Sequence, residues 1–341
     1  MLRVGVAGLG YFSRFHLDSW TGMTDVDVSG VTDPDAGRVV WAERNWSVRG
    51  CADLEGLLSR NLDILDVVAP PSAHAPVIER AVGRVGAIVC QKPFTTSISE
   101  ARHLIDLAET AATALIVHEN FRFQPWYRQI HSILKNGDFG TVYQARFTLR
   151  PGDGRGPHAY LDRQPAFQTM PRLLIHETAV HFLDVFRWLF GPVDGLFADL
   201  RRLNPVLCGE DAGVLILRHA NGVRSVFDGN RLSDHVAGDP RLTMGEMVIE
   251  GEGGALSLDG YGRLWLRSFG AQKRRSVDIE APVDTSTFGG GCVDALNRHV
   301  VAALTGHGTF ENTARDYLEV MRLSETAYRS AASGRIEEPE D

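Results

Sequence analysis

Residues 2–13 read LRVGVAGLGYFS, a short apolar run that leads into Gly8-Leu9-Gly10 and then into a helical stretch. A second apolar run, residues 26–31, ends just before Asp33. This order of strand, glycine turn, helix, strand and acid is typical of a dinucleotide-binding unit. The start of the chain is therefore predicted to be a parallel α/β fold. The chemical alternative is a methyltransferase that binds its nucleoside through a similar loop.

The glycine loop indicates which groups would hold a dinucleotide. Gly8 permits the tight turn, Gly10 lets the backbone approach a pyrophosphate, and the small Ser13 lets the helix pack closely on the strand. Tyr11 and Phe12 complete the loop. Because the amides of a first helical turn attract anions, we expect these five residues to border the cofactor.

Asp33 bears on the identity of that cofactor. A carboxylate at the end of the second strand accepts hydrogen bonds from an unphosphorylated ribose and repels a 2′-phosphate. NAD is therefore favoured over NADP. Arg38 follows closely in the sequence and keeps NADP open, because its guanidinium could turn toward a phosphate.

Composition narrows the class of protein. The chain has 341 residues, of which 44% are hydrophobic, and a formal net charge of −8. This length predicts two domains, and the charge offers no basic surface for nucleic acid. Neither a signal segment nor a membrane span is expected, so the predicted location is the cytoplasm. Four separated cysteines are expected there as buried thiols: Cys51, Cys90, Cys208 and Cys292.

The chain changes character near residue 121. Before it, apolar runs alternate with helical stretches, which predicts a doubly wound parallel sheet in a domain of residues 1–121. The predicted strands are Leu2–Ala7, Val26–Val31, Ile64–Ala69, Ala87–Cys90 and Ala114–Val117.

After that point the pattern predicts an α+β domain, residues 122–341, with a large, mostly antiparallel sheet. Residues 151–172 lack any period and are expected to form a long functional loop. Helices are expected at His176–Phe190 and near 289–305 and 311–333, and the last two could pack back on the first domain. The predicted strands are 141–149, 194–203, 211–218, 223–231, 242–250, 255–258 and 263–268.

Two strand ends in the first domain carry polar groups. Pro70, Pro71 and His74 follow the third strand, where a parallel sheet borders its ligand. The alternative for His74 is a local hydrogen bond at a helix start. Lys92 follows the fourth strand, and because it precedes Pro93 it is kept out of the helical region and presented at the same edge.

Five short motifs follow one another along the chain: Gly8–Ser13, Pro70–His74, Gln91-Lys92-Pro93, Asn120-Phe121-Arg122-Phe123, and His181–Asp184 ahead of Leu189-Phe190-Gly191. In this order they resemble the Gfo/Idh/MocA oxidoreductases, named for glucose-fructose oxidoreductase and inositol dehydrogenase. The resemblance covers nearly the whole chain and implies an N-terminal Rossmann domain. Two positions depart from the family pattern, with Gln91 in place of Glu and Glu177 in place of Asp.

The resemblance also implies the chemistry, a hydride transfer between the nicotinamide and a secondary alcohol of a sugar or polyol. Lys92 would reach substrate and nicotinamide, His181 would act as acid or base, and Glu177 would assist. Gln91 and Asn120 would join the cofactor-binding residues. At Gln91 the family carboxylate that could tune the lysine is absent.

The spacing of three polar residues along the sequence supports assigning them to one site. Glu177, His181 and Asp184 stand at i, i+4 and i+7, so on one α-helix they would share a stripe. The alternative for this stripe is a buried polar network between the domains. His176 and His181 stand five apart, whereas the zinc motif H-E-x-x-H needs four, so no metal is expected.

Substrate contacts are expected from Lys92, His181 and Asp184, together with donors on neighbouring segments: Arg122, His158, Tyr160, Arg163 and Arg172. Such donors suit a polyhydroxylated molecule, while the alternative for each arginine is a surface ion pair. Two other functions stay open, an NAD-dependent glycosidase that works by transient oxidation and a non-catalytic dinucleotide sensor. The resemblance further implies a homodimer or homotetramer formed through the C-terminal sheet.

Overall fold

The computed structural model describes residues 1–340, and the chain divides into two compact units. The first comprises Met1–Glu119 and Val293–Glu319, and the second comprises Asn120–Cys292 and the segment from Val320 onward. Within residues 1–340, we find no helix that combines the length and the apolar character needed to cross a membrane.

The first unit is built on a parallel five-stranded sheet with the order β2-β1-β3-β4-β5. Most of its residues are buried, which explains their continuous apolar sequence. Strand order reverses beside β1, and a ligand of such a sheet binds where this happens. The α/β fold predicted for this region is confirmed. The strands are β1 Leu2–Ala7, β2 Val26–Thr32, β3 Ile64–Val67, β4 Ala87–Cys90 and β5 Ala114–Val117.

Helices alternate with these strands, and several begin at a side chain that caps them. Asp35, Asp53 and Ser97 each accept a hydrogen bond from a backbone amide in the first turn. The helices in order are α1 Ser13–Thr21, α2 Ala36–Trp46, α3 Leu54–Leu58, α4 Pro71–Ala81 and α5 Ile98–Thr110, with α8 Cys292–Leu304 and α9 Ala314–Ser333 near the end of the chain.

The second unit contains an eight-stranded sheet with the order β13-β12-β11-β10-β6-β9-β8-β7. Every pair is antiparallel except β6 with β9, which confirms the predicted mostly antiparallel sheet. Only β13 is missing from the sequence expectation. The strands are β6 Val142–Leu149, β7 Val193–Arg201, β8 Ala212–His219, β9 Arg224–Asn230, β10 Gly245–Gly251, β11 Gly254–Leu258, β12 Leu264–Ser268 and β13 Arg275–Val277.

Two helices of this unit are α6 Pro125–Lys135 and α7 Val180–Phe190. The helix expected over His176–Phe190 is present, but its first part belongs to a π-helix, Leu174–Ala179, and α7 begins only at Val180. Aromatic side chains join α7 to the sheet, with Phe182 stacked on Phe147 at a centroid distance of 3.7 Å.

The cysteines depart from expectation at one position. Cys51, Cys90 and Cys292 are buried, as expected, and all four cysteines are free thiols. Cys208 is exposed instead, because it lies in the irregular connection between β7 and β8.

Candidate active site

The glycine loop between β1 and α1 is fixed on one side and open on the other. Gly8 has φ +98°, and a Cβ there would lie 2.6 Å from the backbone of Val68. Around the Cβ position of Gly10, by contrast, no atom of residues 1–340 beyond its chain neighbours comes within 4 Å. The buried Ser13 hydroxyl donates to the Gly10 carbonyl at 2.7 Å and so holds the loop. The loop therefore leaves room for a ligand at Gly10.

The two glycines give a matched pair of substitutions. Gly8→Ala is expected to destabilise the fold, since it strains φ and collides with backbone, at a cost of about 1–3 kcal/mol. Gly10→Ala is expected to leave the unfolding midpoint without NAD unchanged and to weaken NAD binding at least about tenfold, because its methyl group occupies the open space. Thermal unfolding and NAD titration of both variants check this. Equal thermal losses for the two variants would contradict it.

A cleft of about 690 Å³ adjoins this loop. It brings together four residues predicted to bind cofactor: Gly8, Asp33, Arg38 and Pro70. Its lining also includes Val77 and Arg80 of α4, which were not predicted from the sequence. The signal was present, because Ala73, Val77 and Arg80 recur at helical spacing after the Pro70-Pro71 turn.

Asp33 is held by the backbone at the mouth of the cleft. Its Oδ2 accepts a hydrogen bond from the Leu9 amide at 2.7 Å, and its Oδ1 accepts one from the Asp35 amide at 2.8 Å. Each carboxylate oxygen retains a second lone pair for a ribose hydroxyl. The exposed Arg38 guanidinium lies 3.6 Å from Asp33 Oδ2 and forms an ion pair with that carboxylate. The open loop, the cleft and this acid fit an NAD-type dinucleotide.

Replacing the acid should change cofactor choice. Asp33→Asn keeps an acceptor for only one of the amides of Leu9 and Asp35 and removes the negative charge, so NAD affinity should fall about 10- to 100-fold, as for a lost charge-assisted hydrogen bond. NADP affinity should rise relative to NAD, since repulsion of the 2′-phosphate is relieved. Titration of both nucleotides measures this, with Asp53→Asn as the control in the same cleft. An unchanged ratio of affinities would refute the role of Asp33.

Pro70 and Pro71 shape the turn that begins α4, with Pro71 as its first residue. His74 is fully buried there, and its two ring nitrogens lie 2.8 Å from the carbonyls of Ala69 and Phe94. The ring thus links the end of β3 to the segment after β4. These contacts favour the alternative for His74, a hydrogen-bonding role near the start of a helix. The side chain has no exposed surface that a ligand could contact.

Two buried histidines should make stability depend on pH. Burial lowers the pKa of His74 and of His219 below the ordinary value of 6.5. The unfolded chain therefore takes up protons below about pH 6.5 that the folded chain does not, so stability falls as pH falls through that region. Urea unfolding at pH 7.5 and 5.5 should show this loss, at up to about 1.4 kcal/mol per pH unit for each group. His219→Gln should flatten the dependence and the exposed His307→Gln should not; identical slopes in all three proteins would exclude this cause.

Gln91 belongs to a buried polar cluster in the first unit. Its amide nitrogen lies 2.8 Å from His16 Nε2, and His16 Nδ1 lies 2.7 Å from Asp66 Oδ2. The Trp20 indole also donates to Asp66 Oδ2 at 2.7 Å. A carboxylate is therefore still connected to Gln91, because the His16 ring links the Gln91 amide to Asp66. Lys92 follows at the carboxyl end of β4, partly exposed and joined to Pro93 by a cis peptide bond.

In the second unit, the short segment Phe121–Phe123 precedes α6 and contacts α7. The His181 ring stacks on Phe121 at a centroid distance of 3.9 Å, with the rings 4° from parallel. Arg122 and Asp184 form a buried bidentate ion pair, so each predicted substrate contact already has the other as partner. The carboxamide oxygen of buried Asn120 has no hydrogen-bond partner within residues 1–340, which leaves it able to accept one.

The predicted stripe assumed that Glu177, His181 and Asp184 lie on one α-helix, and the structure places only the last two on α7. His181 and Asp184 lie on α7, but Glu177 lies in the π-helix before it. A π-helix places an extra residue in each turn, so a separation of four no longer corresponds to one α-helical turn. Glu177 is partly exposed, whereas Asp184 is fully buried.

The loop at residues 151–172 is held by ion pairs. Arg163 contacts Asp153 at 3.0 Å, and Arg172 contacts Glu325 at 2.7 Å, which is the ion-pair alternative for these arginines. Tyr160 is buried with φ +70°, and burial raises the pKa of its hydroxyl to about 12. His158 is exposed. The structure thus turns most of the predicted donors toward the protein itself.

The sequence matches a family with two domains. The profile described as oxidoreductase family, NAD-binding Rossmann fold, matches residues 2–119, and the GFO/IDH/MocA C-terminal domain matches residues 127–257. D-apiose dehydrogenase of Paraburkholderia graminis is 30% identical, over 97% of this chain and 88% of that protein. D-apiose dehydrogenase of Rhizobium rhizogenes is 26% identical, over 98% and 96%.

A solved structure is similar over the same extent. The oxidoreductase from Agrobacterium radiobacter, crystallised with NAD+, L-tartaric acid and magnesium, has a TM-score of 0.89 at 26% identity and covers 99% of this chain and 98% of that one. Both family domains are thus present in order, and one relative reaches 30% identity over nearly the whole chain. The protein belongs to the Gfo/Idh/MocA family and is an NAD-binding oxidoreductase.

Proposed function

We propose that this protein oxidises a secondary alcohol of an uncharged sugar or polyol with NAD, and catalyses the reverse reduction. One observation carries the proposal: the glycine loop, Asp33 and Lys92 all lie at the carboxyl edge of one parallel sheet. A dinucleotide site and a cation are thereby placed on the same side of the first unit. The curated relatives named D-apiose dehydrogenase support a sugar substrate.

NAD supplies the hydride acceptor when it is bound, and the side chains handle the substrate and its proton. His181 takes the hydroxyl proton as general base, and its stack on Phe121 holds the ring in one orientation. Lys92 is assigned as a donor to a substrate oxygen on which negative charge develops. Glu177 contacts a neighbouring hydroxyl, while the buried pair of Arg122 and Asp184 supports α7.

The arginines of the second unit bear on substrate charge. Recognition of a sugar acid favours an arginine whose fork is available for a carboxylate. Arg122, Arg163 and Arg172 are instead paired with Asp184, Asp153 and Glu325. An additional carboxylate would therefore meet cations that are already neutralised. This favours neutral substrates, although the Agrobacterium relative was crystallised with L-tartaric acid.

A substrate panel tests the proposal. Purified protein with NAD, and in parallel with NADP, is offered D-apiose, neutral aldoses and polyols, and the corresponding sugar acids. We expect NADH formation with a neutral member and a preference for NAD over NADP. Hydrolysis of an aryl glycoside without net NADH would establish the glycosidase alternative instead. NAD binding with neither reaction would establish a sensor.

The outer face of the eight-stranded sheet bears on how the protein assembles. A row of side chains crosses five strands on the solvent side of the sheet, in the order Phe197, Ile216, Val226, Arg146 and Val248. Four of its five members are apolar, which supports a homodimer or homotetramer formed through this face. Light scattering measures the mass directly. The four free thiols support the cytoplasm as the location.

A further inference from the structure

Arg231 directly follows β9 and joins this strand to two other segments, the loop at residues 151–172 and the π-helix. Its side chain is fully buried, with 1% of its surface exposed. Its Nη2 donates to Asp153 Oδ2 at 2.9 Å, its Nε donates to the Tyr160 hydroxyl at 2.7 Å, and its Nη1 donates to the Thr178 hydroxyl at 2.6 Å. All three guanidinium nitrogens are thus used, each on a different part of the chain.

The first two partners fix the loop at residues 151–172. Asp153 lies near its beginning and also contacts Arg163, while Tyr160 lies in its middle and packs on Phe167 at 5.2 Å. The Gly154 amide donates to the Arg231 carbonyl at 2.9 Å, which adds a backbone tie at the same place. The loop is long and largely irregular, so these contacts help to fix its position, together with the Asn204 side-chain amide, which donates to the carbonyls of Gly154 and Gly156.

The third partner belongs to the π-helix. Thr178 is buried and adjoins Glu177 in the sequence, and the Glu177 carboxylate interacts electrostatically with the Arg231 guanidinium. Burial acts to lower the pKa of Arg231, but Asp153 raises it above the ordinary value, so the side chain keeps its charge. π-Helical turns are rare and often occur at functional sites. Here one is joined to the loop through a permanent cation.

We propose that Arg231 is a positioning residue that sets the loop at residues 151–172 and the Glu177 turn in register with each other. Its effect on catalysis rests on the proposed sugar oxidation. Nothing in the local sequence marks Arg231, which follows an ordinary strand. A lysine cannot replace it, because one ammonium on a flexible stem does not reproduce a planar fork that reaches three partners.

The test uses small substitutions that remove one contact at a time. Tyr160→Phe and Thr178→Val each delete one hydroxyl, and Thr178→Ser retains it. Each deletion should lower kcat/KM for the sugar about 10- to 100-fold, as for one hydrogen bond to a charged group. Tyr160→Phe should act mainly on KM and Thr178→Val mainly on kcat, since the loop is expected to border the sugar and the turn carries Glu177. Thr178→Ser should match the parent protein.

The double variant distinguishes positioning from simple loss of contacts. Tyr160 and Thr178 share the guanidinium, so the double loss should be smaller than the product of the single losses by about threefold or more. The Kd of NAD should stay within about twofold throughout, because these residues lie outside the unit that carries the glycine loop. Multiplicative losses, or a Thr178→Ser variant as impaired as Thr178→Val, would overturn the proposal.

Limited trypsin digestion gives a second measurement that does not require any sugar to be oxidised. Arg155, Arg163 and Arg172 are cleavage sites within the loop. Arg231→Met and Arg231→Lys should both be cut there about tenfold faster than Arg224→Met, an exposed control on the same strand. Unchanged cleavage would overturn the proposal. Faster cleavage of the Arg231 variants, in a protein whose parent form oxidises no sugar, would contradict the proposed function alone.

Discussion

Lys92→Met should lower kcat for sugar oxidation about 100- to 1,000-fold, the usual cost of removing one donor from the site of developing charge. Methionine has an apolar side chain similar to the aliphatic part of lysine and lacks the ammonium. NAD affinity should change little, because the glycine loop, the cleft and Asp33 remain intact. Steady-state kinetics and NAD titration on the same preparation measure the two effects.

Lys273→Met is the matched control, since Lys273 is an exposed lysine outside the first unit. It should retain full activity. Turnover of Lys92→Met at the rate of this control would remove Lys92 from the mechanism. Loss of NAD binding in Lys92→Met would instead show that the lysine serves the cofactor cleft.

His181→Ala should lower kcat about 100- to 10,000-fold through loss of the general base. The substitution leaves a space beside Phe121, against which the imidazole ring stacks in the parent protein. Added imidazole can occupy that space and accept the proton, so activity should recover in proportion to its concentration. A ring of the same size without basic nitrogen gives no such recovery.

The buried His219→Ala is the control, because His219 is a histidine in the second unit with no proposed part in the chemistry. It should keep its turnover and gain nothing from imidazole. Failure of imidazole to restore His181→Ala, in a variant that unfolds at the parent temperature, would argue against proton transfer at this residue.

The sheet of the first unit could be predicted because each of its strands is a short apolar run between helical stretches. The glycine loop then determined where a ligand would lie, since Gly8 is confined by Val68 while Gly10 is open. The hairpin between β8 and β9 was predictable from Asn221-Gly222. The strand β13 was missed because its three residues, Arg275–Val277, include one charged and one polar side chain.

The π-helix was not predictable from the sequence. Residues 174–190 have an apolar pattern compatible with one continuous α-helix, and a widened turn has no distinct composition. What stabilises the observed geometry is distant in sequence, as in the bond from Arg231 to Thr178. The sequence therefore did not show that Glu177 lies in a π-helical turn, whereas His181 and Asp184 lie on one helix, α7, as expected.

The substrate donors show a similar limit. Arginine in a loop predicts a polar contact but does not identify its partner. Arg172 pairs with Glu325, which is 153 positions away in the chain. The Asp153 carboxylate forms ion pairs with both Arg163 and Arg231. Only the folded chain shows that these cations are neutralised, and this changes the expected substrate from any polar sugar to an uncharged one.

The central claim is that this protein moves a hydride from a sugar carbon to NAD. Its most direct test is incubation of a neutral substrate, identified in the panel and deuterated at the oxidised carbon, with NAD and the purified protein. Mass spectrometry of the recovered cofactor should show one deuterium in each NADH formed. NADH without deuterium, or an altered sugar without any NADH, would contradict the claim.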